Sequence, residues 1–229
     1  MTRRRVLVIA PHADDETLSM GGTIAKKMDN GEDVTVAILT GHGSEPNPIG
    51  PKSGWDTVRK EAKEALLHLG QPKLEFFELP AVTLSEHPVY KINRTVAELV
   101  QRIDPNEIYL PFYNDLHNDH RLLCYAGLVA TRAYLPTSQN IELVAMYETP
   151  TETHLMPPAT HAPFAPTLYV STTGYMDCKL AAWSCYESQH QSGTTPRTPS
   201  SLKALATLRG SEIGVESAEA FTVIRSVVH

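Results

Sequence analysis

Short apolar runs rich in β-branched residues alternate along this chain with longer stretches of helical period. The apolar runs, which we predict to be strands, lie at 5–10, 33–39, 74–79, 107–111, 141–147 and 167–171. The helical stretches lie at about 17–29, 55–69, 89–103, 120–134, 174–187 and 200–208. Such alternation is typical of units in which each strand is followed by a helix, and these units build a largely parallel sheet.

The length of the chain predicts a single domain covering residues 1–229, because α/β domains of this size commonly have one undivided core. Five prolines crowd the segment 148–166, which therefore resists both helix and central strand. One interpretation of this segment is a rigid surface connection. The other is a wall of an active-site mouth, or a contact in a homo-oligomer. A second patch rich in Pro, Ser and Thr, at 192–201, is predicted to be a plain loop.

The net charge argues against a nucleic-acid partner, and the hydropathy argues against a membrane span. The chain has 20 Lys and Arg against 26 Asp and Glu, a net charge of −6, and its basic run is confined to residues 3–5. We therefore expect no nucleic-acid partner, since the phosphate backbone requires a basic surface. No stretch approaches the roughly 18 apolar residues that a membrane span needs, and the run at 6–10 is too short for a signal peptide.

The cysteines indicate a reducing compartment. Their number is odd, and the three positions, Cys124, Cys178 and Cys185, include no C-x-x-C pair. This pattern favours reduced thiols in a cytoplasmic protein over a disulfide framework.

Potential metal ligands directly follow two of the predicted strands. The strand at 5–10 runs into Pro11-His12-Ala13-Asp14-Asp15-Glu16, and the strand at 107–111 leads into Asn114-Asp115-Leu116-His117-Asn118-Asp119-His120-Arg121. In an open parallel sheet, ligands bind in the crevice beyond the carboxyl ends of the strands. Both clusters are therefore expected at the same edge of the sheet.

The first cluster contains the residues that a catalytic zinc site needs. Such a site takes three ligands from His and carboxylate side chains and leaves a fourth position for water. His12 and Asp15 are three residues apart and can converge on one ion. The neighbouring Asp14 would point in a different direction, so one carboxylate can bind the metal while the other faces its water.

The second cluster repeats this spacing. His117 and His120 could present one imidazole to the metal and the other to the substrate, and Asp119 can orient a neighbouring histidine. The alternative interpretation of each acidic residue is a helix N-cap. That alternative explains single positions better than it explains two clusters that both follow strands.

The two clusters resemble the signature of the PIG-L/LmbE zinc deacetylases, which have (A/P)-H-x-D-D-E after the first strand and H-x-D-H later. Both motifs are present, as Pro11-His12-Ala13-Asp14-Asp15-Glu16 and His117-Asn118-Asp119-His120. The resemblance extends to Arg59 and Glu61 ahead of Leu69-Gly70, to Lys179, to Ser188-Gln189 and to Ala218-Glu219-Ala220-Phe221. It therefore covers essentially the whole chain.

This resemblance implies a Rossmann-like three-layer α/β/α fold with its active site at the carboxyl ends of a mainly parallel sheet. It implies a zinc ion, or another divalent transition metal, on His12, Asp15 and His120. Asp14 would be the general base. His117 would assist in its protonated form as the acid or oxyanion stabiliser, with Asp119 tuning it.

The resemblance also implies substrate-binding residues. Arg59 is similar to the residue that reaches a hydroxyl or phosphate group of the substrate, and the alternative is a surface salt bridge with Glu61 or Glu64. Some members have a Tyr two residues before the acid histidine as an oxyanion donor. This chain departs from that pattern, with Asp115 at the position and Tyr113 nearby, and we expect these two residues to contact the substrate.

The function implied by the resemblance is removal of an N-acyl group, N-acetyl in the simplest case, from a small amino-sugar substrate such as an N-acetylglucosamine compound. Alternatives of the same chemistry are an amidase acting on a thiol-sugar conjugate or on a larger acyl group. An alternative of another class is a non-catalytic module that binds zinc or a sugar. A dinucleotide-binding domain is disfavoured because the first strand is not followed by G-x-G-x-x-G.

Overall fold

A seven-stranded sheet forms the centre of the fold. The computed structural model describes residues 3–43 and 47–228. The strands are β1 Arg5–Ala10, β2 Asp33–Gly41, β3 Lys73–Pro80, β4 Glu107–Pro111, β5 Leu143–Tyr147, β6 Leu168–Ser171 and β7 Ala218–Ser226. The helices are α1 Asp15–Asp29, α2 Lys52–His68, α3 Val89–Ile103, α4 Asn118–Ala130, α5 Met176–Ser184 and α6 Pro199–Ser211.

The strand order explains where a ligand site can form. The order is β3-β2-β1-β4-β5-β7-β6, and the first five strands along the chain pair in parallel. Among the described strands, β7 alone runs in the opposite direction to the rest, and it is antiparallel to both of its neighbours, β5 and β6. The order reverses at β1, which has β2 on one side and β4 on the other. A crevice therefore opens between the carboxyl ends of β1 and β4, as in other open α/β sheets.

Helices cover both faces of the sheet, which confirms the predicted mainly parallel three-layer α/β/α architecture. Val6 and Val8 of β1 face the layer that contains α1, α2, α5 and α6. Leu7 and Ile9 of the same strand face the layer of α3 and α4. Because successive side chains of a strand point to opposite faces, a strand buried on both sides has a continuous apolar sequence.

The strand β7 was not predicted from the sequence. Its first four residues are buried, yet Glu219 lies among them and interrupts the apolar pattern. This carboxylate receives a hydrogen bond from Nζ of Lys179 at 2.6 Å. Local pattern alone could not identify the strand, because the cation that compensates this buried charge lies on another element, α5.

Glu219 also explains a break in α1. The helix is interrupted at Met20, whose φ of −145° and ψ of 26° are not helical. The backbone N–H groups of Gly22 and Thr23 follow this break and donate to the Glu219 carboxylate at 3.0 and 2.6 Å. Helix N-termini leave such donors without intrahelical partners. Glu219 therefore caps the second half of α1 from a strand that is distant in sequence.

The proline-rich segment 148–166 contains neither helix nor strand, as its composition predicts. It begins with a turn in which the N–H of Thr153 donates to the carbonyl of Thr149 at 2.8 Å. Among the described residues, no helix has both the length and the apolar character needed to cross a membrane.

Candidate active site

The two clusters meet at the crevice between β1 and β4. The motif Pro11–Glu16 joins β1 to α1, and His117–His120 begins α4 after β4. Because β1 and β4 are neighbours in the sheet, the rings of His12 and His120 lie with their centroids 5.3 Å apart. The expectation that both motifs lie at the carboxyl edge of the sheet is confirmed.

One carboxylate oxygen lies between two imidazoles. Oδ2 of Asp15 is 3.3 Å from Nδ1 of His12 and 3.3 Å from Nε2 of His120. Ligands that bind zinc tetrahedrally at its usual bond lengths are separated by about 3.3–3.5 Å. The ligand atoms of the three residues all lie within 4.8 Å of one another. Their chemistry and spacing therefore fit a tetrahedral metal ion with one position left over.

Each imidazole of this group is oriented by a second carboxylate. Nε2 of His12 lies 3.0 Å from Oδ2 of Asp119, and Nδ1 of His120 lies 2.8 Å from Oδ2 of Asp115. Such partners select the tautomer in which the opposite ring nitrogen has a free lone pair for a metal. Asp115 is fully buried and is itself held by the hydroxyl of Thr153.

The carboxylate of Asp119 lies closer to His12 than to His117, the histidine that the resemblance has it tune. This carboxylate is 3.9 Å from Nδ1 of His117, beyond hydrogen-bond distance, and contacts His12 instead. His117 interacts with Asp119 through the backbone: the N–H of Asp119 donates to Nδ1 of His117 at 3.1 Å. That nitrogen therefore carries a lone pair, and the proton of a neutral His117 lies on Nε2.

The surroundings of His117 disfavour the protonated form that the resemblance implies. Burial and the neighbouring His12 lower the pKa of His117 to about 4. A neutral imidazole with its proton on Nε2 is a hydrogen-bond donor and not a strong acid. His117 lines the cavity described below.

A second possible metal group consists of His12, His117 and Asp119. Two of its atoms, Oδ2 of Asp119 and Nδ1 of His117, already have partners. Oδ2 of Asp119 faces His12 and also accepts the backbone N–H of Val82 at 2.7 Å. Nδ1 of His117 accepts a backbone hydrogen bond. The group of His12, Asp15 and His120 is the better candidate, because each of its two imidazoles is oriented by a further carboxylate.

Asp14 is held in an unusual backbone conformation. Its φ of 129° lies in a region that residues other than glycine rarely adopt and that is often associated with functional sites. The backbone N–H of Asp14 donates to Oε2 of Glu16 at 3.1 Å, and Oε1 of Glu16 accepts the hydroxyl of Tyr186. The two adjacent carboxylates have different partners, since Asp14 contacts Arg197 and Asp15 lies beside His12 and His120.

The acidic pair has opposite pKa shifts. Burial and the charge of Asp15 raise the pKa of Asp14 to about 7, while Arg197 acts in the opposite direction. Burial disfavours the charge of Asp15, but the two neighbouring histidines outweigh it and hold its pKa well below the usual range. Burial disfavours the charge on His12, yet the hydrogen bonds that its ring donates to Asp119 and Asp15 raise its pKa to about 9. Metal binding must therefore displace protons from the histidines.

A cavity of about 620 Å³ opens above these residues. His12, Asp14, Asp15, His117 and His120 line it. The loops 47–54, 80–88 and 148–166 contribute Ile49 and Gly50, Ala81 and Val82, and Glu152 respectively. The sequence predicts that loops such as 41–54 form the pocket walls, and residues 44–46 of that loop lie outside the described part of the chain.

Arg59 lines the cavity, as the sequence resemblance implies. Its guanidinium donates to Glu78 and to the carbonyl of Phe77 at 2.7 Å. The alternative pairing with Glu61 or Glu64 does not occur, because Glu61 accepts hydrogen bonds from Ser188 and Glu64 is near Lys60.

Asp115 and Tyr113 do not line the cavity, and this corrects their predicted contact with substrate. Asp115 lies behind His120, and Tyr113 packs against Phe112. Among the described residues, two further charged residues of the cavity lining, Arg197 and Glu152, were not predicted as site residues. Arg197 belongs to the segment 192–201, which we expected to be a plain loop. The proline content of 148–166 allowed a wall of the active-site mouth there but did not single out Glu152, and composition gave no sign of Arg197, because the paths of these loops depend on the whole fold.

Comparison with known proteins identifies the family. The family model described as PIG-L, GlcNAc-PI de-N-acetylase, matches residues 7–131, more than half of the chain. The chain belongs to the PIG-L family. Both metal-ligand motifs of this PIG-L chain lie inside the matched region.

Curated relatives and a solved structure agree with this assignment. The diacetylchitobiose deacetylase of Thermococcus kodakarensis is 26% identical, with 98% of this chain and 84% of that protein covered. The "Probable N-acetyl-alpha-D-glucosaminyl L-malate deacetylase 2" of Bacillus cereus is 32% identical over 51% of this chain and 56% of that protein. The conserved protein TT1542 from Thermus thermophilus superposes with a TM-score of 0.77 at 26% identity, covering 98% of this chain and 96% of that one.

Proposed function

We propose that this PIG-L chain is a zinc-dependent hydrolase that removes an N-acyl group, normally N-acetyl, from a substrate that contains an amino sugar. One observation carries the proposal: Asp14 lines the same cavity as the group of His12, Asp15 and His120 but does not belong to that group. A potential base thus stands beside a potential metal site. The names of the two curated relatives, both deacetylases, support the same reaction.

The metal would be held by two imidazole nitrogens and one carboxylate oxygen. When bound there, zinc would supply a Lewis acid for the amide carbonyl and lower the pKa of the attacking water from its bulk value to about 7. Other divalent transition metals accept the same donors, so zinc is the proposed ion on grounds of donor type and tetrahedral spacing.

Asp14 transfers the proton of the reaction, and His117 donates a hydrogen bond. The carboxylate of Asp14 accepts a proton from water as the water oxygen bonds to the amide carbon. Nε2–H of His117 donates to the oxygen on which negative charge develops. The carbon–nitrogen bond then breaks while Asp14 returns the proton to the leaving nitrogen. One water is consumed, and a free amine and acetate leave.

The cavity surroundings suggest how the substrate is held. Arg59 is fixed by Glu78 and by the carbonyl of Phe77, and it presents a positive charge to the cavity, where a hydroxyl or phosphate of the substrate would bind. Polysaccharide precursors, antibiotic intermediates and thiol-sugars all contain such groups. We also propose that the chain is a single domain, since the two core layers lie on the two faces of one sheet. We further propose a cytoplasmic location.

The deciding experiment is a screen of N-acetylated amino sugars for release of the free amine. A chelator should abolish release and added zinc should restore it. Asp14→Asn preserves the size of the side chain but removes the base, so kcat should fall by roughly 10²–10⁴-fold while zinc content remains. Full activity after chelation would exclude the metal mechanism. Zinc binding with an unchanged kcat in Asp14→Asn would exclude Asp14 as the base.

The same experiment separates the enzyme from the non-catalytic alternative. A binding module would hold zinc and sugar without releasing amine from any member of the panel. Activity on larger N-acyl groups or on thiol-sugar conjugates, with the same dependence on zinc and Asp14, would keep the chemistry and change the substrate.

A further inference from the structure

Arg197 makes a direct ion pair with Asp14. Its Nη1 donates to Oδ2 of Asp14 at 2.8 Å, although 183 positions separate the two residues in the chain. The side chain of Arg197 is 15% exposed and that of Asp14 is 5% exposed. Such charge-assisted hydrogen bonds are stronger than neutral ones, and low exposure limits their screening by solvent.

The backbone on which Arg197 stands is anchored. It precedes α6, whose N-cap Thr198 accepts the N–H of Ser201 at 3.1 Å. Ser201 in turn donates from its hydroxyl to the carbonyl of Thr195 at 2.9 Å. The guanidinium also approaches the hydroxyl of Thr151 at 3.4 Å. The start of α6 therefore fixes the loop that brings a cation to Asp14.

A site with two adjacent carboxylates has to keep one of them away from the metal. Asp14 and Asp15 are consecutive, both are buried, and both line the cavity. A divalent cation attracts both, and carboxylate oxygens are good ligands for it. The hydrogen bond from Asp14 to Glu16 restrains the backbone, while the ion pair with Arg197 restrains the carboxylate itself.

We infer that Arg197 is a positioning residue that holds the Asp14 carboxylate outside the metal ligand set, leaving it free to accept a proton from water. This inference rests on the proposed metal site and on the proposed role of Asp14. Without the guanidinium, the Asp14 side chain can rotate towards the metal and become a fourth protein ligand. The site would then bind metal more tightly and turn over more slowly.

The test compares Arg197→Ala, Arg197→Lys and the double variant Arg197→Ala/Asp14→Asn, each loaded with cobalt(II) for its visible spectrum and with zinc for a chelator competition. Arg197→Ala should bind zinc about 10-fold more tightly, as an added charged ligand does. Its cobalt spectrum should change towards a higher coordination number. The double variant should lose both effects, because Asn is a poor ligand. Arg197→Lys keeps a positive charge and should retain the original spectrum.

Kinetics provide the second readout. In Arg197→Ala, kcat should fall by about 10–100-fold, the range expected when a catalytic group is displaced by an ångström, while KM changes much less. The matched control is Arg102→Ala, which removes an arginine–carboxylate pair with Glu75 on the exposed face of α3 and should leave all readouts unchanged.

Two results would separate failure of this inference from failure of the proposed function. If the unsubstituted chain binds no metal through His12, Asp15 and His120, both fall. If the unsubstituted chain binds metal and releases amine, but Arg197→Ala shows unchanged zinc affinity and cobalt spectrum or keeps its kcat within about twofold, only the role of Arg197 is overturned.

Discussion

Oδ2 of Asp119 lies 3.0 Å from Nε2 of His12, across 107 positions of sequence. The same oxygen accepts the backbone N–H of Val82 at 2.7 Å. The two contacts fix the carboxylate on the side of His12 that faces away from Asp15. Asp119 therefore supports a candidate metal ligand, in contrast to the role beside His117 that its motif implies.

This relationship predicts a defect in metal binding for Asp119→Ala. Loss of a carboxylate that orients a ligand histidine typically weakens metal affinity by about 10–100-fold. Competition with a chromophoric chelator measures the change. Asp177→Ala is the matched control, since Asp177 occupies the first turn of α5 as Asp119 does in α4, but is exposed. Unchanged affinity with a lowered kcat would instead support a role of Asp119 in tuning His117.

We expect one metal ion per purified chain. Replacing His12, Asp15 or His120 by alanine should reduce this metal content. Three protein ligands cannot become two without changing the coordination of the metal. Elemental analysis of the three alanine variants checks this. His68→Ala, at the exposed end of α2, should retain the full content. Full metal content in all three variants would require a different site.

His117→Ala should lower kcat by about 10²–10³-fold, as the loss of one oxyanion donor does, and should leave the metal in place. The pKa of His117, lowered to about 4, places the ring in its neutral form near neutral pH. The fold reduction in kcat should therefore be constant between about pH 6 and 8, so that the curve of kcat against pH keeps its shape. We check it by measuring kcat against pH beside the unsubstituted chain. Selective loss of the alkaline limb would show that the protonated ring is the active form.

Lys179→Met should destabilise the fold. It leaves the Glu219 carboxylate buried without its cation, and breaking a buried ion pair in this way costs about 3–5 kcal/mol of unfolding free energy. Urea unfolding measures this cost. Lys179→Met combined with Glu219→Gln should be less destabilised than the sum of the single variants, because neither charge then remains alone. Additive effects would mean that the two side chains act independently.

The periodicity of the sequence was sufficient to predict six of the seven strands and all six α-helices that the described residues form, with ends that differ from the structure by a few residues. Apolar runs such as 5–10 and 33–39 are short, rich in β-branched residues and buried on both faces. Their pattern is therefore visible within a few residues. The strand β7 was missed because Glu219 interrupts its apolar pattern, and its compensating partner Lys179 is 40 residues away.

The sequence by itself determined the α/β class and the location of two His/Asp clusters at one edge of the sheet, because the spacing of ligands within each motif and the alternation of strand and helix are local properties. The tertiary structure decided which groups pair across the site. Asp119 contacts His12, Asp115 supports His120, and Arg197 reaches Asp14. These pairings depend on the adjacency of β1 and β4 and on the loop that precedes α6. Strand order and loop path result from packing the whole chain, so local periodicity does not predict them.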